Sequence, residues 1–119
     1  MINDSLVKEA LTQSKLWGNE NLYFLGVCKI GYVIINMTDL GVGVLPTKLV
    51  PGDLVLTPQA AWFLSNEEIK SVEIKKSFMA KKVIISTSAS KPYVFTVQHT
   101  DLRLGEHEQN FNKFMSMYS

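Results

Sequence analysis

Residues 69–118 read IKSVEIKKSFMAKKVIISTSASKPYVFTVQHTDLRLGEHEQNFNKFMSMY, and the period of the apolar residues changes once along this stretch. At first it is two. Val72 and Ile74 alternate with Glu73 and Lys75; Val83, Ile85 and Thr87 share a face, as do Tyr93, Phe95 and Val97. Alternation of this kind marks half-buried strands. The runs Lys82–Ser88 and Pro92–Gln98, linked by Ala89-Ser90-Lys91, predict a hairpin. Phe111, Phe114, Met115 and Tyr118 then fall at i, i+3, i+4 and i+7, which predicts a helix over 106–118. Glu106 and Glu108 sit near its start, where the helix dipole favours anions. Such a stripe needs an apolar surface to cover, and the open end or face of a β-barrel offers one.

Upstream, residues 4–17 predict another helix. Asp4 or Ser5 can cap it, Leu6, Val7, Ala10 and Leu11 form its apolar face, and Gly18 ends it. Strand signals follow at Leu22–Cys28, Gly31–Asn36, Asp53–Thr57 and Ala60–Ser65, the last two broken by a turn at Pro58-Gln59. The segment 37–52 holds Gly41, Gly43, Pro46, Pro51 and Gly52. It reads either as a long loop, a usual place for binding, or as cover for a short strand at Val42–Leu45.

The chain has 119 residues, enough for one domain spanning 1–119 with a single core. Its formal charge of +1 provides no global attraction for nucleic acid. The one cysteine, Cys28, has no intrachain disulfide partner. The opening Met1-Ile2-Asn3-Asp4-Ser5 lacks the basic head and apolar run of a signal peptide, and a cytoplasmic protein is expected.

Seven strands followed by one helix is the element order of the pleckstrin-homology-like barrel, and 53–118 resembles the small bacterial members of that superfamily. Leu54-Val55-Leu56-Thr57 with Trp62-Phe63-Leu64 is similar to their central hairpin. Glu67-Glu68-Ile69-Lys70-Ser71-Val72 resembles the usual approach to their fifth strand. Val83-Ile84-Ile85 and Tyr93-Val94-Phe95 resemble their closing hairpin. The resemblance implies a mainly β fold: a seven-stranded barrel of two packed antiparallel sheets with an N-terminal helix and a C-terminal capping helix. It also implies binding to lipids, peptides or proteins rather than catalysis. The phosphoinositide-binding members carry a basic signature at the first hairpin, where this chain has only Lys29.

The expected binding residues are Lys75, Lys76, Phe78, Met79, Lys81 and Lys82, at the tip of a hairpin. Residues 69–91 carry six lysines and one glutamate, +5, while the remainder of the chain sums to −4. Lysines around an apolar apex suit an anionic membrane surface, and Phe78 also suits a protein hot spot. A purely structural alternative folds Phe78 and Met79 back onto the core and leaves the lysines to protect an edge strand. The first expectation is a non-catalytic adaptor whose partner is a protein or a second copy of the chain. The second is peripheral binding to anionic lipid, and the third a ligand-binding barrel or enzyme using 37–52 and His99.

Other constellations are weak. His99, Asp101 and His107 match no common zinc spacing. Cys28 shows no base beside it, and Gly41-Val42-Gly43 is no dinucleotide fingerprint. Tyr23, Phe24, Tyr93 and Phe95 read as core rather than as a stacking platform for RNA. No cofactor, no metal and no nucleic acid are expected.

Overall fold

The computed structural model describes residues 2–89 and 91–118. Helix α1 spans Asp4–Gln13. Eight strands follow: β1 Asn21–Cys28, β2 Gly31–Thr38, β3 Gly41–Val50, β4 Asp53–Leu56, β5 Trp62–Ser65, β6 Ile69–Ser77, β7 Ala80–Thr87 and β8 Tyr93–Val97. Helix α2, His107–Tyr118, ends the described chain. The fold is mainly β, in one open antiparallel sheet ordered β4-β3-β2-β1-β8-β7-β6, with β5 also paired to β3.

The strand count is eight rather than seven because 37–52 is not a loop. It holds the end of β2 and the ten-residue β3, which extends well beyond the short strand at Val42–Leu45. The reason lies in burial. Val42 and Val44 face one core, Leu45 faces another, and Gly41 to Pro46 are buried without a break. A strand covered on both faces has a continuous apolar run instead of alternation. Glycine is required at Gly41, where φ is +150° and a Cβ would run into the Leu64 carbonyl.

The expected central hairpin is also corrected. β4 pairs with Thr47–Val50 and β5 with Gly41–Val44, so both lie along β3 and not on each other. A 3-10 turn at Pro58–Ala60 joins the two strands. The β7–β8 hairpin is present, with Ile85 opposite Tyr93 and Val83 opposite Phe95. Of its linker, Ser90 lies outside the described residues.

Two cores result. Phe24, Ile35, Val44, Val83, Phe95 and Phe111 belong to the larger one, so residues from both halves of the sheet curl toward α2. Phe24 stands 5.0 Å, centroid to centroid, from both Phe111 and Phe114. The second core lies on the opposite face of β1–β3, where Val7 and Leu11 of α1 meet Leu25, Ile34 and Leu45. The N-terminal helix therefore packs on its own sheet. It ends earlier than expected, since Lys15 takes the left-handed conformation at φ 62° before Gly18 is reached. Its cap is Asn3, whose Oδ1 accepts from the Leu6 amide at 2.9 Å.

β1 and β8 are joined by one bridging pair, Val27 and Thr96. Side chains of α2 bond further backbone groups of β1. The Leu25 amide donates to His107 Nδ1 at 3.0 Å, and Asn110 Nδ2 donates to the Tyr23 carbonyl at 3.0 Å. Since His107 Nδ1 is an acceptor, Nε2 carries the proton and donates to the Gln98 carbonyl at 2.8 Å. One helix turn thus serves backbone groups that the sheet alone leaves free.

Candidate functional site at the β6–β7 turn

The β6–β7 hairpin keeps strand pairing to its end, where Ser77 stands opposite Ala80. Phe78 and Met79 alone form the turn, and both point into solvent at 91% and 78% exposure. They do not fold back onto the core. Two-residue hairpin turns normally use Asn-Gly, Asp-Gly or Gly-X, because positive φ is required. Here Met79 adopts φ 60°. A left-handed non-glycine residue costs about 1–2 kcal/mol, and strain of this kind concentrates at functional positions.

The lysines add a second unfavourable feature. Lys75 stands directly opposite Lys82, and Lys76 opposite Lys81. Like charges facing each other across a strand pair repel. Alternation places one pair on each face of the ribbon. Among the described residues, none of the four belongs to an ion pair. Cationic charge therefore surrounds the apolar apex on both faces. All six residues expected from the sequence meet at this one tip.

The tip also includes a residue that spacing did not connect to it. His99 borders a shallow depression with Lys76, Lys81 and Met79. Its Nε2 lies 3.7 Å from a Glu108 carboxylate oxygen. Among the described residues, none of segment 37–52 lines this depression.

The remaining candidates have structural explanations. His107 is buried with both ring nitrogens engaged, and Asp101 pairs with Arg103 at 3.1 Å. Among the described residues there is no cluster of three metal-ligand side chains. Tyr23, Phe24 and Phe95 are core residues, so they offer no stacking face. Cys28 is a half-buried free thiol. No described helix is long and apolar enough to cross a membrane.

A different polar cluster fastens the termini. The Tyr23 hydroxyl lies 2.6 Å from Asp4 Oδ2 and 2.7 Å from Glu106 Oε2. Lys8 Nζ stands 3.0 Å from Glu106 Oε2. The Gly105 amide donates to Asp4 Oδ1 at 2.6 Å. Burial, followed by the two carboxylates, pushes the Tyr23 phenol far above its ordinary value. For Asp4, burial acts upward but is outweighed by the Tyr23 hydroxyl, the 105–106 amides and Lys8, so its pKa is lowered. Glu106 is lowered by the Tyr23 hydrogen bond and then by Lys8. These groups are saturated by one another, and the cluster is a clasp between α1 and the start of α2.

No family model, no curated protein and no solved structure matches the chain.

Proposed function

We propose that this chain is a non-catalytic, pleckstrin-homology-like binding module that docks on anionic lipid through its β6–β7 tip. The observation that carries the reading is an exposed Phe78-Met79 apex bracketed by two opposed lysine pairs. The superfamily reading is supported by the strand order. Strands β1–β3 with β5, and strands β6–β8, form two meanders that meet at β1 and β8 and share one core with a C-terminal helix.

Magnitudes favour lipid over protein. A stable protein interface takes about 800 Å² from each partner, while a buried aromatic supplies about 150–250 Å². A two-residue apex falls well short. At a membrane the same apex suffices, since burying each apolar side chain is worth about 1.5–3 kcal/mol. Each adjacent lysine adds about 1 kcal/mol near an anionic surface. Repulsion within the lysine pairs favours a state in which that charge is neutralised.

Co-sedimentation with vesicles tests the reading. Phosphatidylserine-containing vesicles should bind the chain at low salt and release it at about 0.5 M salt, where screening is short-ranged. Neutral phosphatidylcholine vesicles should not bind it. Replacing Phe78 and Met79 with serine should abolish sedimentation without lowering the thermal midpoint. Failure of the unaltered chain to bind anionic vesicles at low salt would end the proposal. So would light scattering that shows a dimer dissolved by Phe78→Ser, which would make a second copy the partner.

A further inference from the structure

A separate pocket of about 560 Å³ opens beside the β1–β2 turn and the start of β8. Its floor is built by Cys28, Trp62, Tyr93 and Phe95. The Trp62 and Tyr93 rings stand 5.0 Å apart, tilted by 36°. Ile30 and Pro92 extend the apolar wall, and Lys29 and Lys91 supply the only formal charges among the described lining residues. Tyr93 pairs with Ile85, five residues along β7 from the Ala80 end. At about 3.3 Å per residue, the pocket is remote from the docking tip.

We infer that this pocket binds an amphipathic monoanion, an alkyl chain ending in a carboxylate. Its volume lies within the ~300–1,000 Å³ of small-molecule sites, which are mostly apolar with a few polar groups that orient the ligand. An aromatic pair against an aliphatic wall suits a hydrocarbon chain. The hydroxyl-rich surface of a sugar would find almost no partners there. The two cations on the lining suit one carboxylate. A polyphosphate headgroup calls for a denser cluster and the forked donors of arginine, and no arginine is among the described lining residues.

The test uses the full chain carrying Trp17→Phe, which leaves Trp62 as the sole tryptophan. Titration with dodecanoate below its micelle concentration should change Trp62 emission saturably. It should also slow alkylation of Cys28 by iodoacetamide. Dodecanol should bind about tenfold more weakly, a difference of ~1.4 kcal/mol. The Lys29→Gln/Lys91→Gln double variant should lose that preference at an unchanged thermal midpoint, because both side chains are exposed. Serine at Phe78 and Met79 should leave dodecanoate binding intact, which separates this site from the tip. A titration with no saturable emission change and no protection of Cys28 would overturn the inference. Equal affinity for dodecanoate and dodecanol would do the same.

Discussion

Tyr23 and Glu106, 83 positions apart in the chain, meet at 2.7 Å, and Asp4 closes the cluster from the other side at 2.6 Å. A phenol has one proton, so it donates to one carboxylate at a time. Lys8 and the 105–106 amides hold the remaining negative charge. The cluster joins the first helix to the last across β1.

Tyr23→Phe removes the clasp and leaves two carboxylates facing each other. The expected loss is about 1–3 kcal/mol in urea unfolding. The pH profile carries a second signature. Asp4 and Glu106 titrate below their ordinary values, so their contribution is full above those values and is lost as pH falls through the lowered ones. Tyr23 is raised, so its contribution is full below the ordinary tyrosine value of 10.0 and is lost as pH rises beyond it. The variant should lose Tyr23's share of the alkaline limb, leaving that of Tyr118, whose burial also raises its phenol, and show a shallower acid limb. Identical profiles for the two proteins would refute the assignment.

Met79→Gly relieves the left-handed strain at φ 60°. Stability should rise by about 1 kcal/mol, while binding to anionic vesicles weakens because an apolar anchor is gone. A glycine variant that unfolds earlier would show that Met79 is held by contacts and not exposed to solvent.

The two faces of α2 should respond differently to truncation. Phe111→Ala or Phe114→Ala removes a ring with no exposed area from the larger core, at a cost of about 3–5 kcal/mol. Met117, 56% exposed on the same helix, should tolerate alanine within about 0.5 kcal/mol. Equal effects in thermal unfolding would mean that the helix does not seat as described.

Gly41→Ala should destabilise by about 1–3 kcal/mol, and more if β5 is forced away from β3. The new Cβ would meet the Leu64 carbonyl at a positive φ. Gly31 serves as the control, because nothing stands within 4 Å of its Cβ position. Alanine there should cost only the backbone strain.

Local periodicity made β6, β7, β8 and both helices legible in the chain, because each has one wet face and one dry face. The same logic hid β3. Its residues 41–46 are dry on both faces, so they carry no alternation, and Gly41, Gly43 and Pro46 among them imitate a loop. The lysine-flanked tip could be read as a cluster. Its direction could not, since exposure of Phe78 and Met79 depends on the register that places Ser77 opposite Ala80. The pocket at Trp62 and Tyr93 joins residues from three separated segments and left no local mark.

Order along the chain therefore determined by itself seven of the eight ribbons, both coils, and where positive charge collects. Only the tertiary structure decided that β4 and β5 share β3, that His107 and Asn110 complete the backbone bonding of β1, and that the tip stands clear of the core. The physical reason is range. Period and charge act between neighbours in the chain, whereas burial on a second face, strand register and hydrogen bonds such as Asn110 to Tyr23 join residues many positions apart.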